Sequence, residues 1–298
     1  MNNSKINDPL FYVVLLNFNN YKYTKGCIES LLNLSYTNYN ILVIDDCSTE
    51  REIDNLNKDF PTVLFHQNIE NKHYCKSFNV GVRIAIKNGA DYIFLVNNDT
   101  KDFSQNFFEV ILKKFKSDEN IGMVGSKCID YDGDIRRDDK ASYRFGIEMD
   151  TPTEGYVIKK SVFEKIGLLN EFLIIYMEDL DFISRMRSVG YKTAIDTSIS
   201  FAHLGGVSTS KEPYKYTFLR VRNIVLFARK MGLDKSLIWT INQVRANIKS
   251  HFKMTIKNLL KGNFYISFQI IKGVYKGLIS GCKLKLNEVW NKKNMLLY

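Results

Sequence analysis

What most constrains this chain is an alternation within its first hundred residues. Short continuous apolar runs, each stopping on polar residues, are separated by segments of helical period. "FYVVLLNFN" reads as a buried strand ending on Asn17-Phe18-Asn19, and "TKGCIESLLNL" as a helix capped by Thr24 with Cys27, Ile28, Leu31 and Leu32 on its apolar face. "NILVIDD" is the next strand, ending on Asp45-Asp46-Cys47-Ser48. "TVLFHQN", a helix around Phe78, Val82, Ala85 and Ile86 closed by Lys87-Asn88-Gly89, and then "YIFLVNN" make a third unit. Strands alternating with helices of this length imply right-handed crossovers and an open, mainly parallel α/β sheet flanked by helices. Ligands of such sheets gather beyond the carboxyl ends of the strands. Asn17, Asn19, Asp45, Asn97, Asn98 and Asp99 are therefore expected along one rim. One Asn or Asp after a strand is ordinary turn chemistry, but three such ends on one edge point to a binding site.

Several classes are disfavoured by what is missing. No GxGxxG follows the first strand and no GxxxxGK[ST] occurs, which argues against a dehydrogenase or a P-loop enzyme. The five cysteines (Cys27, Cys47, Cys75, Cys128, Cys282) are scattered without a CxxC pair, as suits reduced thiols. The start, "MNNSKINDPL", lacks the apolar core of a signal peptide, and no uninterrupted run of eighteen apolar residues occurs, so a cytoplasmic location is expected.

Downstream, "IIYMEDLDFISRMRSVGYKTAID" sets Glu178, Asp179 and Asp181 at the start of a helical pattern, with Arg185 and Arg187 in its later turns. Helix-dipole compensation and capping explain this by themselves; the chemical alternative is one carboxylate facing a cleft as general base. "ISFAHLGG" ends another apolar run at His203. If that run returns to the same rim, Asp99 and His203 can share one divalent cation, with diphosphate oxygens completing its shell.

Taken in order, these stretches resemble the family 2 glycosyltransferases, inverting enzymes of the GT-A fold that transfer sugars from nucleotide donors. The resemblance spans roughly residues 11 to 230. "ILVIDDCSTE" is similar to the family's second strand and implies that Asp45 contacts the nucleotide base. "NIENKHYCKSFNVGV" resembles the donor-side segment, which brings in Asn71 and Lys76. "FLVNNDT" resembles the DxD-type motif for metal and phosphate, so Asn97, Asn98 and Asp99 are implied there. The block ending "YMEDLDFISRMRSVGY" implies Asp179 as the base, with Glu178 as the alternative if the helix starts one residue earlier. His203 stands where some members place a metal ligand. "YKYTFLRVRNIVLFARK" resembles bacterial rhamnosyl- and galactofuranosyltransferase-like members. The chain departs from the pattern at His73 (commonly glycine), at Asn97 (often an acid), at Leu169-Asn170-Glu171 (usually Phe-Asp-Glu) and at Glu154-Gly155, so the donor sugar does not transfer. The resemblance implies a Mn²⁺ or Mg²⁺ cofactor, a UDP- or dTDP-sugar donor, a glycan or lipid-linked acceptor, and bacterial surface-polysaccharide assembly.

Charge divides the chain. From Tyr214 to Tyr298 there are 17 Lys and Arg against 2 acids, whereas residues 1–213 carry 25 against 30. A catalytic domain over 1–213 and a basic helical region over 214–298 are expected. Ile241, Val244, Ile248, Phe252, Ile256 and Leu259 recur at helical spacing beside Lys249, Lys253, Lys257 and Lys261. A second such helix carries Phe264, Phe268, Ile271, Tyr275 and Leu278. Basic amphipathic helices suit the anionic inner face of a membrane; packing on the catalytic domain or a homo-oligomer interface are the alternatives. Two other function classes compete. A nucleotidyltransferase needs a basic Gly-rich loop that "LLNFNNYKYT" does not supply, and a nucleic-acid-binding protein leaves the rim carboxylates unexplained, so no nucleic acid is expected.

Overall fold

A computed structural model describes residues 8–49, 52–129, 142–144, 147–149, 155–205, 212–232 and 237–297. Residues 1–7 and Glu154, both used above, lie outside them. Four strands, β1 (Phe11–Asn17), β2 (Tyr39–Asp45), β3 (Leu64–Gln67) and β4 (Tyr92–Asn97), pair in parallel in the order β3-β2-β1-β4. Alternate residues of each strand face opposite sides of the sheet, and in β1 and β4 both sides are buried. Phe11, Val13, Leu15, Phe94 and Val96 pack on one side; Tyr12, Val14, Ile93 and Leu95 pack on the other. Helices α1 (Tyr21–Leu31) and α4 (Phe107–Ser117) cover the first face, and α3 (His73–Lys87) covers the second. Gly81 of α3 lies so close to β1 that a Cβ there would sit 2.2 Å from Val14 Cγ1.

The sheet is mainly parallel, as expected, with two antiparallel strands inserted. It continues through β9 (Gly155–Lys159), β6 (Ile121–Ile129), β10 (Lys192–His203) and the short β5 (Thr100–Lys101). β9 runs antiparallel between β4 and β6, and β5 antiparallel to β10. Two reversals across β9 leave β6 and β10 parallel to β4, so β10 delivers His203 to the rim where β1, β2 and β4 end. A separate two-stranded ladder joins β7 (Ser142–Arg144) and β8 (Ile147–Met149).

Two local expectations need correction. α1 starts at Tyr21, so Thr24 lies within the helix rather than at its cap, and its hydroxyl donates to Asn17 Oδ1 at 2.6 Å. Leu32 follows the last helical turn and is 45% exposed, not part of the apolar face. The periodicity also did not announce α2 (Glu52–Asp59), because among its apolar positions only Leu56 is buried.

Beyond the sheet come α5 (Lys160–Ile166), α6 (Glu178–Ser188), α7 (Pro213–Met231), α8 (Leu237–Leu260), α9 (Phe264–Lys283) and the single turn α10 (Leu286–Val289). Val221, Ile224 and Phe227 of α7, Ile248 of α8 and Ile270 and Val274 of α9 belong to the same apolar cluster as α3 and α6. α9 meets α7 through Gly273, Gly277 and Gly281. A Cβ at Gly277 would lie 2.8 Å from the Phe218 carbonyl oxygen and 2.9 Å from Val221 Cβ. Asp181, fully buried on α6, binds Arg185 Nε at 2.9 Å, Lys230 Nζ at 2.8 Å and Trp290 Nε1 at 2.5 Å. Of the three acids read together at this helix start, Asp181 thus fastens the C-terminal region to the body. Among the described residues, no helix is long and apolar enough to cross a membrane.

Candidate active site

The rim is assembled by side chains that bind one another. Asn17, fully buried, donates from Nδ2 to Asp45 Oδ2 at 2.7 Å and to Glu52 Oε2 at 3.2 Å. Asp45 also accepts from the Ser48 amide at 2.9 Å and the Ser48 hydroxyl at 2.6 Å, and it too is fully buried. Asn19, with φ of 50°, accepts from the Thr49 amide at 2.8 Å and donates its own amide to Ser48 Oγ at 2.9 Å. In this conformation Asn17 and Asp45 brace the loops after β1 and β2 from below.

Its neighbour Asp46 organises the next loop. Its carboxylate accepts from the amides of Lys72 at 2.8 Å and His73 at 2.9 Å, from Asn68 Nδ2 at 2.9 Å and from Ser77 Oγ at 2.6 Å. Asn71 Oδ1 accepts from the same His73 amide at 3.1 Å. His73, standing where the family commonly has glycine, adopts φ of 63°, so the left-handed bend survives the substitution because Asp46 and Asn71 hold it. Burial, together with Lys215, holds its imidazole below the ordinary histidine range. Lys76 is exposed on the first turn of α3.

After β4 the three polar residues divide their work. Asn97 Oδ1 accepts from the Tyr74 hydroxyl at 3.3 Å, and Asn98 Nδ2 donates to Thr24 Oγ1 at 2.8 Å. Asp99 meets the end of β10: its Oδ1 lies 3.0 Å from His203 Nε2 and its Oδ2 accepts from the Gly205 amide at 3.1 Å. Both partners are nearly buried. A carboxylate and an imidazole in contact are a donor set that Mn²⁺ and Mg²⁺ accept. Among the described residues no cluster of three or more His, Cys, Asp or Glu is placed to hold a metal. Two protein ligands leave coordination positions for diphosphate oxygens and water, so these residues fit such an ion.

Glu178 and Asp179 occupy the first turn of α6, after a left-handed run: Ile174, Tyr176 and Met177 have φ of 69°, 71° and 68°. Among the described residues, Glu178 Oε2 is buried without a hydrogen-bond partner. Burial first, and Asp179 beside it second, push the Glu178 carboxyl up to about 8. The Tyr74 phenol, itself raised by burial, lies near enough to feel both acids and so links Asn97 to them.

Several of these residues were not singled out from the sequence. The left-handed run is held by α7: Asn223 Nδ2 donates to the carbonyls of Leu173 at 2.8 Å, Ile175 at 2.8 Å and Tyr176 at 2.9 Å, while the Arg222 guanidinium reaches the Phe172 and Leu173 carbonyls. Arg220 stacks over the Tyr176 ring, 5.3 Å from its centroid. Asp46 lay in a strand end expected on the rim, without a role of its own, whereas Tyr74 and Asn223 carry no spacing signal pointing there; the "RVRN" stretch marks Asn223 only in retrospect.

A mixed sheet with flanking helices, polar strand ends on one rim and an acidic helix start beside it define a GT-A glycosyltransferase. The model of Glycosyl transferase family 2 matches residues 12–181, and this chain belongs to that family. It is similar to "dTDP-rhamnosyl transferase RfbF" of Shigella flexneri, 26% identical over 183 residues, 54% of this chain and 61% of the relative. An "Uncharacterized glycosyltransferase" of Haemophilus influenzae is 26% identical over 118 residues, 39% of this chain and 38% of that one. The matches thus span less than two thirds of either relative's length. Among solved structures, S. aureus TarS 1-349 superposes with a TM-score of 0.61 at 14% identity, covering 94% of this chain and 82% of that one. The mannosyltransferase PcManGT from Pyrobaculum calidifontis in complex with GDP-Man and Mn²⁺ gives 0.58 at 12%, covering 95% and 87%. Family membership sets aside the nucleotidyltransferase reading.

Proposed function

We propose that this glycosyltransferase uses a divalent cation to move a sugar, with inversion, from a nucleoside-diphosphate donor to an acceptor hydroxyl. The observation that carries the reading is the contact between Asp99 and His203, brought together at 3.0 Å from strand ends 104 residues apart. A cation bound there supplies Lewis-acid stabilisation for charge developing on the departing diphosphate. Asn97 and Asn98 approach the donor without adding charge. The loop bent at His73, with Asn71 and Lys76, flanks the donor's nucleoside end together with Asn19 and the 45–49 turn that Asn17 and Asp45 brace.

Asp179 takes the proton from the acceptor hydroxyl as that oxygen attacks the anomeric carbon from the face opposite the diphosphate; the new glycosidic bond forms as the anomeric carbon–oxygen bond to the diphosphate breaks. Glu178 is the poorer base because with a pKa of about 8 it still holds its proton at neutral pH. Support for a UDP- or dTDP-sugar comes from relatives: one is a dTDP-rhamnosyl transferase, and TarS was crystallised with UDP-GlcNAc. A glycan or lipid-linked glycan acceptor in bacterial surface-polysaccharide assembly, reached by peripheral association with the inner membrane face, completes the proposal.

The test is a panel of nucleotide sugars assayed for released nucleoside diphosphate with Mn²⁺, Mg²⁺ or chelator, with the product's anomeric configuration read by NMR. Full turnover in chelator would remove the cation, and a retained configuration would remove the single displacement.

A further inference from the structure

The C-terminal hairpin presents a surface the catalytic chemistry does not use. α9 spends its small-residue face on α7, which turns its bulky apolar residues outward. Phe264, Phe268, Ile271 and Tyr275, at one helical spacing, are 69%, 60%, 53% and 61% exposed. On α8, Val244 and Ile248 pack inward, whereas Phe252, Ile256 and Leu260 are exposed, Leu260 at 84%. The face exposed on the hairpin is thus only partly the one that periodicity alone suggested. Across Lys235–Asn287 there are ten Lys and Arg and not one acid. Lys249, Lys253, Lys257 and Lys261 are exposed along α8, and Lys272 and Lys276 along α9.

We infer that the outer face of the α8–α9 hairpin is a docking surface for an anionic lipid bilayer, holding the active site beside a lipid-borne acceptor. Both observations are needed for this choice. Exposed aromatic and aliphatic side chains lose water favourably on entering the acyl boundary, and flanking lysines meet lipid phosphates. A nucleic acid would use the lysines and leave Phe268 and Ile271 in water; a second copy of the chain would set lysine against lysine. Because Gly273, Gly277 and Gly281 seat α9 against α7, and α7 binds the loop before Glu178 through Asn223, the docking face is built rigidly onto the catalytic body. The acceptor part of this inference rests on the function proposed above; the docking part does not.

The experiment is flotation of the full chain with vesicles of phosphatidylcholine alone or mixed equally with phosphatidylglycerol, at low and high salt. Wild type should float with the anionic vesicles only, and less at high salt. Lys253→Gln with Lys257→Gln should lower partitioning by roughly twenty-five-fold, since each interfacial lysine contributes about five-fold. Phe264→Ser with Phe268→Ser and Ile271→Ser should lower it by about ten-fold or more without lowering Tm, because these side chains are already exposed. Release of nucleoside diphosphate with a soluble acceptor should be unchanged in both variants, so loss of docking is separable from loss of catalysis. Failure of wild type to float overturns the inference. So does a dimer that dissociates on the serine substitutions, or binding to nucleic acid at least as tight as to the vesicles.

Discussion

Replacing Asn223 by Ala removes an amide that holds the left-handed approach to Glu178-Asp179. Its two Nδ2 protons are shared among three carbonyls at 2.8–2.9 Å, and the side chain is fully buried. Leu173 keeps a second donor in Arg222 at 3.2 Å, so the loss of this amide falls on the carbonyls of Ile175 and Tyr176. Losing a hydrogen bond at these two part-buried acceptors costs roughly 1–3 kcal/mol. The same bonds oppose strain at Ile174, Tyr176 and Met177, each left-handed residue costing about 1–3 kcal/mol, most at β-branched Ile174. The loop is therefore expected to relax, and a displacement of ~1 Å at a reacting group costs about 10²-fold in rate. Steady-state release of nucleoside diphosphate should show kcat down by about that factor with donor KM little changed, alongside a Tm lower by several degrees. Asn223→Asp has the same shape but no donors, and should fail equally. If the Asp variant keeps wild-type kcat, or if Ala lowers Tm while kcat holds, the positioning argument is refuted.

Asp179→Asn should reduce turnover by ~10²–10⁴ while donor binding, read by thermal shift with nucleoside diphosphate, persists; near-normal turnover would transfer the base role elsewhere. Glu178 binds its proton more tightly folded than unfolded, so wild-type stability should fall as pH rises from the usual carboxylate range towards about 8. Glu178→Gln should flatten that slope in pH-dependent melting and raise Tm at pH 7; an unchanged slope would contradict the buried, protonated state. Asp181→Ala should destabilise the chain by about 3–5 kcal/mol by stranding Lys230 and Arg185, as chemical denaturation would report. Gly277→Leu should separate α9 from α7, and protease cleavage of the C-terminal hairpin should then outpace that of the sheet.

Much of the fold was written locally. The apolar runs that became β1, β2 and β4 were legible because both faces of a central strand are buried, and the stop of each run on Asn or Asp was legible because the rim faces water. The antiparallel insertion of β9 was not, since nothing local in "GYVIK" says which neighbours it takes. The start of α1 was misjudged because Thr24 satisfies capping statistics, whereas in the folded chain its hydroxyl is drawn to Asn17 and relayed to Asn98. Glu178 and Asp179 were legible as a pair at a helix start. Their different environments were not, because burial of Glu178 depends on what α3 and α7 place around it.

The sequence alone therefore determined the class: an α/β sheet with polar strand ends, an acidic helix start and a basic tail are local patterns of period, charge and termination. Tertiary structure alone decided which of these patterns meet. It set His203 against Asp99 through strand order, passed the shaping of the loop bent at His73 to Asp46, and let Asn223, beyond the expected catalytic boundary, hold the loop before Asp179. It also turned the aromatic stripe of α9 outward, because three glycines had already taken the inner face. Such pairings depend on strand order and helix packing, which bring distant residues together and which residue periodicity does not encode.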